Sequence, residues 1–283
     1  GAPVHFSAAY DNPLDLRALL PDPCFVSDLY LRHRGPAPAD PRGNVAAWRA
    51  FLADLSVTDF FAVQPTVRAV PRGDAELGPI AGAEDWAGHC EVEDFECPEF
   101  GAVMQRLLGP PDDAPPHRPV TVSDDVHAML CGVWAAVDQH WRQSYSHCLQ
   151  RRYRCAMDKA LLHTTPSSFL RDMRRWPWVP CADVGRVARP RDLYARTEEL
   201  QDLLAHHVPY AHGTGQSRGM QVSLGLTVQP SVPLVLDRLA EWRATASDPS
   251  AEDEPPFCTT IAHMSAVYVY LARHLAQEYD TIT

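Results

Sequence analysis

Residues 167–180 read Ser167-Ser168-Phe169-Leu170-Arg171-Asp172-Met173-Arg174-Arg175-Trp176-Pro177-Trp178-Val179-Pro180, and this stretch decides how the fold is taken. Ser167–Arg175 predicts a short helix and Trp176–Pro180 a strand, with Trp178 expected in the core beside Val179. Downstream come Pro190-Arg191-Asp192-Leu193-Tyr194, Leu224-Gly225-Leu226, Pro230-Ser231 and an apolar helical stretch ending at Trp242. A looser version stands in the first half: Cys24-Phe25-Val26-Ser27-Asp28-Leu29-Tyr30, then Trp48 and Phe51-Leu52-Ala53-Asp54-Leu55-Ser56-Val57. The recurring residues are core and turn formers, so they speak about architecture rather than reactivity.

Working outward, Leu14–Leu20 predicts a short helix closed by Pro21 and Pro23, and Cys24–Leu31 a strand. Arg34–Gly43 reads as a loop. Val45–Leu55 has helical spacing at Trp48, Phe51, Leu52 and Leu55, and Phe60–Val70 alternates as a strand would. Pro71–Trp86 is a polar connection, Glu91–Glu99 an acidic stretch with embedded aromatics, and Cys97–Leu108 a helix. Gly109–Pro119 holds five prolines in eleven residues and is the candidate linker. The strongest helical signal follows. Ser123 is placed to cap it, Asp124 and Asp125 favour its positive end, and apolar positions from Val126 to Trp141 carry it toward Arg154. Arg191–Tyr194 reads as extended. Val232–Trp242 and Ile261–Tyr279 are further amphipathic helices, separated by the acidic loop Ala244–Pro256. The expected class is α+β, mainly helical, with two related helix/short-strand modules. The first is residues 1–109, with an acidic segment; residues 110–119 form a proline-rich linker, and residues 120–283 a second, mainly helical module.

Apolar residues make up 46% of the 283, enough for a sizeable core. No run approaches the roughly 20 apolar residues that span a bilayer, so no membrane role is expected. The net charge of −11 argues against a dedicated nucleic-acid binder. The charge is uneven, however. Residues 74–125 hold thirteen acidic residues against Arg106 and Arg118, whereas residues 141–196 hold twelve basic against four acidic. In a compact chain these segments should meet each other or face partners. Lys159 is the single lysine, so arginine supplies nearly all positive charge. Eight cysteines without paired spacing, and no opening signal sequence, fit reduced thiols in the cytosol or nucleus. The abrupt start at Gly1-Ala2 fits a segment of something longer.

Several groups could carry chemistry. His206, His207 and His212 precede Gly213-Thr214-Gly215-Gln216-Ser217-Arg218-Gly219, but a phosphate loop needs a Gly-Lys-Ser/Thr ending, so a surface loop is preferred. His140, His147, Cys148 and Cys155 share a seven-residue spacing that could put thiol and imidazole on one helical face. Zinc ligands usually lie closer in sequence, so packed residues are preferred and no metal is expected. Glu93-Asp94 and Asp112-Asp113 read as solvated charge, and no nucleophile elbow or catalytic-cysteine signature occurs. The belt Arg151, Arg152, Arg154, Arg171, Arg174 and Arg175, interleaved with Tyr153 and Trp176, could meet phosphates or dock a neighbouring surface. These six arginines are the candidate partner-binding residues.

At Phe51–Leu55 with Val57-Thr58-Asp59-Phe60, and again at Ser167–Pro180, Arg191–Tyr194 and Val208-Pro209-Tyr210-Ala211, the chain resembles the NO VEIN family. These are large sacsin-like proteins with a gyrase/histidine-kinase-type ATPase domain near one end. Ser56 stands where the pattern has glycine, Val187 or Ala188 where it has histidine, and Tyr194 where it has phenylalanine. The ATPase's Glu-x-x-x-Asn helix and glycine-rich nucleotide loop have no counterpart in this chain. The resemblance therefore implies a region outside the ATPase, whose work is substrate or partner engagement; no cofactor is expected, and no small-molecule substrate is evident in the sequence.

Three functional readings follow. The first is a non-catalytic interaction or scaffold region of a chaperone-type protein, binding a protein partner. The second is a nucleic-acid-associated module using the arginine belt, for which steeply salt-dependent heparin retention would speak. The third is an enzyme with a His/Cys site, which stoichiometric metal would favour.

Overall fold

The computed structural model describes residues 3–12, 16–20, 23–32, 41–71, 77, 80, 90–110, 119–213, 216–247 and 258–282. The first strand, β1 (Val4–His5), pairs in parallel with β2 (Cys24–Phe25), which follows the short helix α1 (Leu16–Leu19). The strand expected over Cys24–Leu31 stops at Phe25, because Ser27 and Asp28 turn the chain into helix α2 (Leu29–Arg32). Helix α3 (Pro41–Asp54) begins inside the stretch read as a loop and packs Leu52 against Phe6 and Tyr10. Phe60 and Phe61 lie before the next strand rather than within it, and both are buried in the main core. Strand β3 (Gln64–Val70) pairs antiparallel with β4 (Cys90–Glu96), so the acidic stretch is largely a strand. Helix α4 (Pro98–Leu108) buries Phe100, Val103 and Met104, as its spacing predicts.

Beyond the short strand β5 (Val120–Thr121) lies helix α5 (Asp124–His140). Ser123 caps it, accepting from the Val126 amide at 3.4 Å, and Asp124 and Asp125 occupy its first turn. Its inward face is Leu130, Val133, Trp134 and Val137. The helix does not run to Arg154. A π-helical turn over Trp141–Tyr145 ends it, and the chain returns as strand β6 (Gln150–Cys155), hairpinned to β7 (Leu161–Pro166). Helix α6 (Ser168–Arg175) follows, then β8 (Val179–Pro180) and β9 (Arg186–Ala188). The segment expected to be extended at Arg191–Tyr194 is a 3-10 turn at Pro190–Asp192 before Tyr194 bridges to Tyr210 and Thr227. Helices α7 (Glu198–Leu204), α8 (Arg218–Leu224), α9 (Val232–Ser247) and α10 (Ile261–Ile282) complete the fold.

The class is α+β. Strands order β3-β4-β6-β7 in one antiparallel sheet and β5-β9-β8 in a smaller one. Strands from both sides of residues 110–119 share the larger sheet. The main core likewise joins Phe60, Phe100 and Met104 to Trp134, Trp178 and Leu226. Of the expected linker, residues 111–118 lie outside the described residues, as do most of 71–86 and 248–257 of the acidic loop. A second core gathers Leu200, Leu204, Val235, Trp242 and Val267 from α7, α9 and α10. The two Asp-Leu-Tyr steps differ locally: Leu29 opens a helix, whereas Leu193 and Tyr194 are buried in extended backbone. All eight cysteines carry free thiols. Among the described residues, no helix is long and apolar enough to cross a membrane.

Candidate functional site

Helix α6 is eight residues long, and its two ends are held by different parts of the fold. At its start the Ser167 hydroxyl accepts from the Leu170 amide at 3.2 Å and donates to the Cys148 carbonyl at 2.7 Å. Asp94, from β4, accepts from the Ser168 amide at 2.9 Å and from the Ser168 hydroxyl at 2.6 Å. A carboxylate here satisfies an orphan amide and meets the positive end of the helix. At the other end, the Trp178 indole donates to the Met173 carbonyl at 2.8 Å. Phe169, Leu170 and Met173 point into the core, which leaves Arg171 and Arg175 exposed on the opposite face.

The six arginines proposed from sequence separate into two groups. Arg151, Arg152 and Arg154 lie on β6, where side chains alternate between faces. Arg151 points inward and is buried, donating through Nε to Asp94 Oδ2 at 2.7 Å and through Nη2 to the same oxygen. It also reaches the Ser168 hydroxyl at 2.6 Å. Burial pushes the Asp94 carboxyl up, but hydrogen bonds from Arg151, Ser168 and the Phe95 amide outweigh it and hold the group below its ordinary value. Arg151 therefore acts as a structural clamp, inaccessible to a partner. Arg152 and Arg154 point outward, and each faces an acid on β4 in the register: Glu93 opposite Arg152, and Glu91 opposite Arg154. Arg154 Nε meets Glu93 at 2.9 Å, and Lys159 meets Glu91 at 2.5 Å. The opposite-sign segments thus meet as cross-strand pairs, each worth about 0–1 kcal/mol when exposed.

Arg171, Arg174 and Arg175 do converge, and two arginines missed from sequence join them. Arg189 and Arg191 flank Pro190 in the 3-10 turn, and with α6 they line an open pocket of about 650 Å³ closed by Leu224 and Gly225. Five guanidinium groups and no carboxylate make up its charged lining. Arg174 is fixed to the Ser223 carbonyl through Nε at 3.0 Å and Nη2 at 2.7 Å, which caps the end of α8. Gly225 ends that helix at φ +96°, a left-handed conformation that favours glycine. Arg171 is steadied by the Ser168 hydroxyl at 2.9 Å, and Arg191 lies 3.8 Å from Asp192. An adjoining pocket of about 480 Å³ shares Arg171 and Arg175 and includes Asp172, whose pKa is raised by burial against the pull of those two arginines. The sequence signal for the missed pair was Arg189-Pro190-Arg191 itself, a rigid turn presenting a base on either side.

Other candidates do not assemble in this way. His140 ends α5, Cys148 is buried beyond the π turn and Cys155 lies on β6, so the seven-residue spacing puts no common helical face together. Cys131 approaches His127 Nδ1 at 3.7 Å, but burial pushes its thiol up, away from the reactive thiolate. Burial also pushes Cys97 and Cys181 up to about 12 and Cys148 up to about 11. His207 packs against Trp242, with ring centroids 5.3 Å apart, and burial lowers its pKa. Of the glycine-rich stretch, Ser217 serves as the cap of the seven-residue α8, accepting from the Met220 amide. A pocket of about 760 Å³ near Asn12, Arg17, Phe25 and Asp28 mixes one acid with one base and gathers no convergent set. Among the described residues, no group of three or more His, Cys, Asp or Glu side chains is placed to hold a metal.

The chain is 20% identical over 289 aligned positions to Protein NO VEIN of Arabidopsis thaliana. That match takes in 99% of this chain and 10% of the relative, so the chain spans about a tenth of that protein's length. No family model matches, and no solved structure matches. The similarity to that relative runs along nearly the whole of this chain.

Proposed function

We propose that this chain is a non-catalytic interaction region of a NO VEIN-type protein, and that the arginine pocket on α6 docks an acidic segment of a protein partner. One observation carries the reading: five arginines surround one open pocket with no carboxylate in its lining. Gathering like charges is costly for the folded chain, whose overall charge is −11 and which therefore has acids in excess to neutralise a purely structural cluster. On β6 the same chain sets its outward arginines opposite acids on β4, and Arg154 meets Glu93. The α6 pocket has no acid in its own lining, while Glu96 and Asp172 stand with Arg171 and Arg175 in the adjoining one. Chaperone-like work, driven by an ATPase elsewhere in a longer protein, is the role such a docking region would serve.

The nucleic-acid reading is weaker on the same geometry. Tyr153 and Trp176, the aromatics that interleave the belt in sequence, are buried, so neither offers a base-stacking face.

The docking reading is tested by partner capture on the immobilised chain at low salt and at about 0.5 M salt, where the Debye length falls well below 8 Å. Partners held through α6 are expected to be lost at the higher salt. They should also be lost at low salt from an Arg171→Gln/Arg175→Gln/Arg191→Gln chain, but kept by Arg152→Gln/Arg154→Gln. Partners retained by the triple variant as well as by the wild-type chain would remove the pocket from the account.

A further inference from the structure

The pocket can be identified more narrowly, and this step rests on the docking reading just given. We infer that its ligand is a phosphorylated side chain of the partner, a phosphoserine or phosphothreonine seated among Arg171, Arg175, Arg189 and Arg191. Residue type alone cannot make the case, because arginine is nearly the only base this chain uses. The placement does. Four guanidinium groups from two separate elements, the helix α6 and the Pro190–Asp192 turn, approach one volume together with Arg174. A single carboxylate neutralises one unit of charge, whereas a phosphate ester brings about 1.5–2 negative charges and three acceptor oxygens to one point. Planar guanidinium forks match those oxygens two at a time.

The scaffold also holds part of this lining in advance. Arg174 is tied to the Ser223 carbonyl and Arg171 to the Ser168 hydroxyl, while Asp94 and Trp178 grip the two ends of the helix that carries them. Pro190, buried beneath the turn, fixes the backbone between Arg189 and Arg191. Side chains already ordered lose less entropy on binding, so a small anion can be gripped tightly.

The intact chain is titrated by calorimetry with four probes. These are a Ser/Gly peptide bearing one phosphoserine between glutamates, the same peptide with glutamate in place of phosphoserine, inorganic pyrophosphate, and a single-stranded RNA oligonucleotide. The phosphopeptide is expected to bind at least about tenfold more tightly than its glutamate twin and than the other two probes. Arg171→Gln and Arg191→Gln, both exposed positions that need not disturb folding, should each remove about tenfold of that affinity. Arg152→Gln should leave it unchanged. Equal binding of the phosphopeptide and its glutamate twin overturns the phosphate inference and leaves acidic-segment docking in place. Tighter binding of pyrophosphate identifies a free-anion site, tighter binding of RNA a nucleic-acid surface, and either replaces the inference. Binding of neither peptide overturns it outright. Loss of the docking reading itself would show instead as partner capture indifferent to the pocket arginines.

Discussion

Trp178→Ala is expected to destabilise the chain by about 3–5 kcal/mol, the range for removing a large aromatic from a packed core. Trp178 is 0% exposed and meets Phe100 and Trp134 edge-on, each at a centroid distance of 5.5 Å. The substitution empties that contact and strips the Met173 carbonyl of its indole donor. A matched Trp178→Phe chain refills most of the volume but cannot donate, so its cost should fall to roughly 1–3 kcal/mol. Urea denaturation reads both. Coincident midpoints for wild type and Trp178→Ala would contradict the packing described, and with it the reason α6 stands where it does.

An effect of similar size is expected at the opposite end of that helix. Asp94→Ala leaves the Arg151 guanidinium buried without its counter-charge, and breaking a buried pair from one side typically costs about 3–5 kcal/mol. It also frees the amide of Ser168 and the first turn of α6. Replacing both partners, as Asp94→Leu/Arg151→Met, should recover much of the loss, because no uncompensated charge then remains. The pH dependence has a definite sign. Asp94 titrates below its unfolded value, so its contribution is complete above the ordinary carboxylate pKa of about 4 and is lost as pH falls through the lower folded pKa. The single variant should therefore show a shallower loss of stability in acid than the wild type. A single variant as stable as wild type at neutral pH, with an unchanged acid limb, would show that the pair does not hold the helix.

The same buried pair explains what could and could not be read from the amino-acid order. Helices α4, α5, α6, α9 and α10 follow from apolar spacing, and the Ser123 cap from its neighbours Asp124 and Asp125. Trp178 is buried as its surroundings imply. Strands β4 and β6 are hidden because one inward position on each is charged. Cys90 and Val92 alternate inward on β4, but the next inward residue is Asp94, and on β6 the inward partner of Tyr153 is Arg151. A period of two in burial is thus not a period of two in hydrophobicity, and the two stretches read as acidic surface and as helix. Arg151 is turned into the core for this reason, while Arg152 and Arg154 stay on the outward face. Arg171 and Arg175 are exposed because α6 is amphipathic, with bases on the face its apolar residues leave over. Arg189 and Arg191 escaped notice because only tertiary contact brings the Pro190 turn against α6.

The docking claim is tested most directly by observing the arginines themselves. With the chain labelled at nitrogen, the side-chain Nε–Hε resonances can be assigned through single Arg→Gln substitutions and followed while an acidic or phosphoserine peptide is added. The account predicts that the signals of Arg171, Arg175, Arg189 and Arg191 move together along one saturating curve while those of Arg151, Arg152 and Arg154 stay in place. Movement confined to Arg152 and Arg154, or no movement among the pocket arginines at saturating peptide, would contradict it.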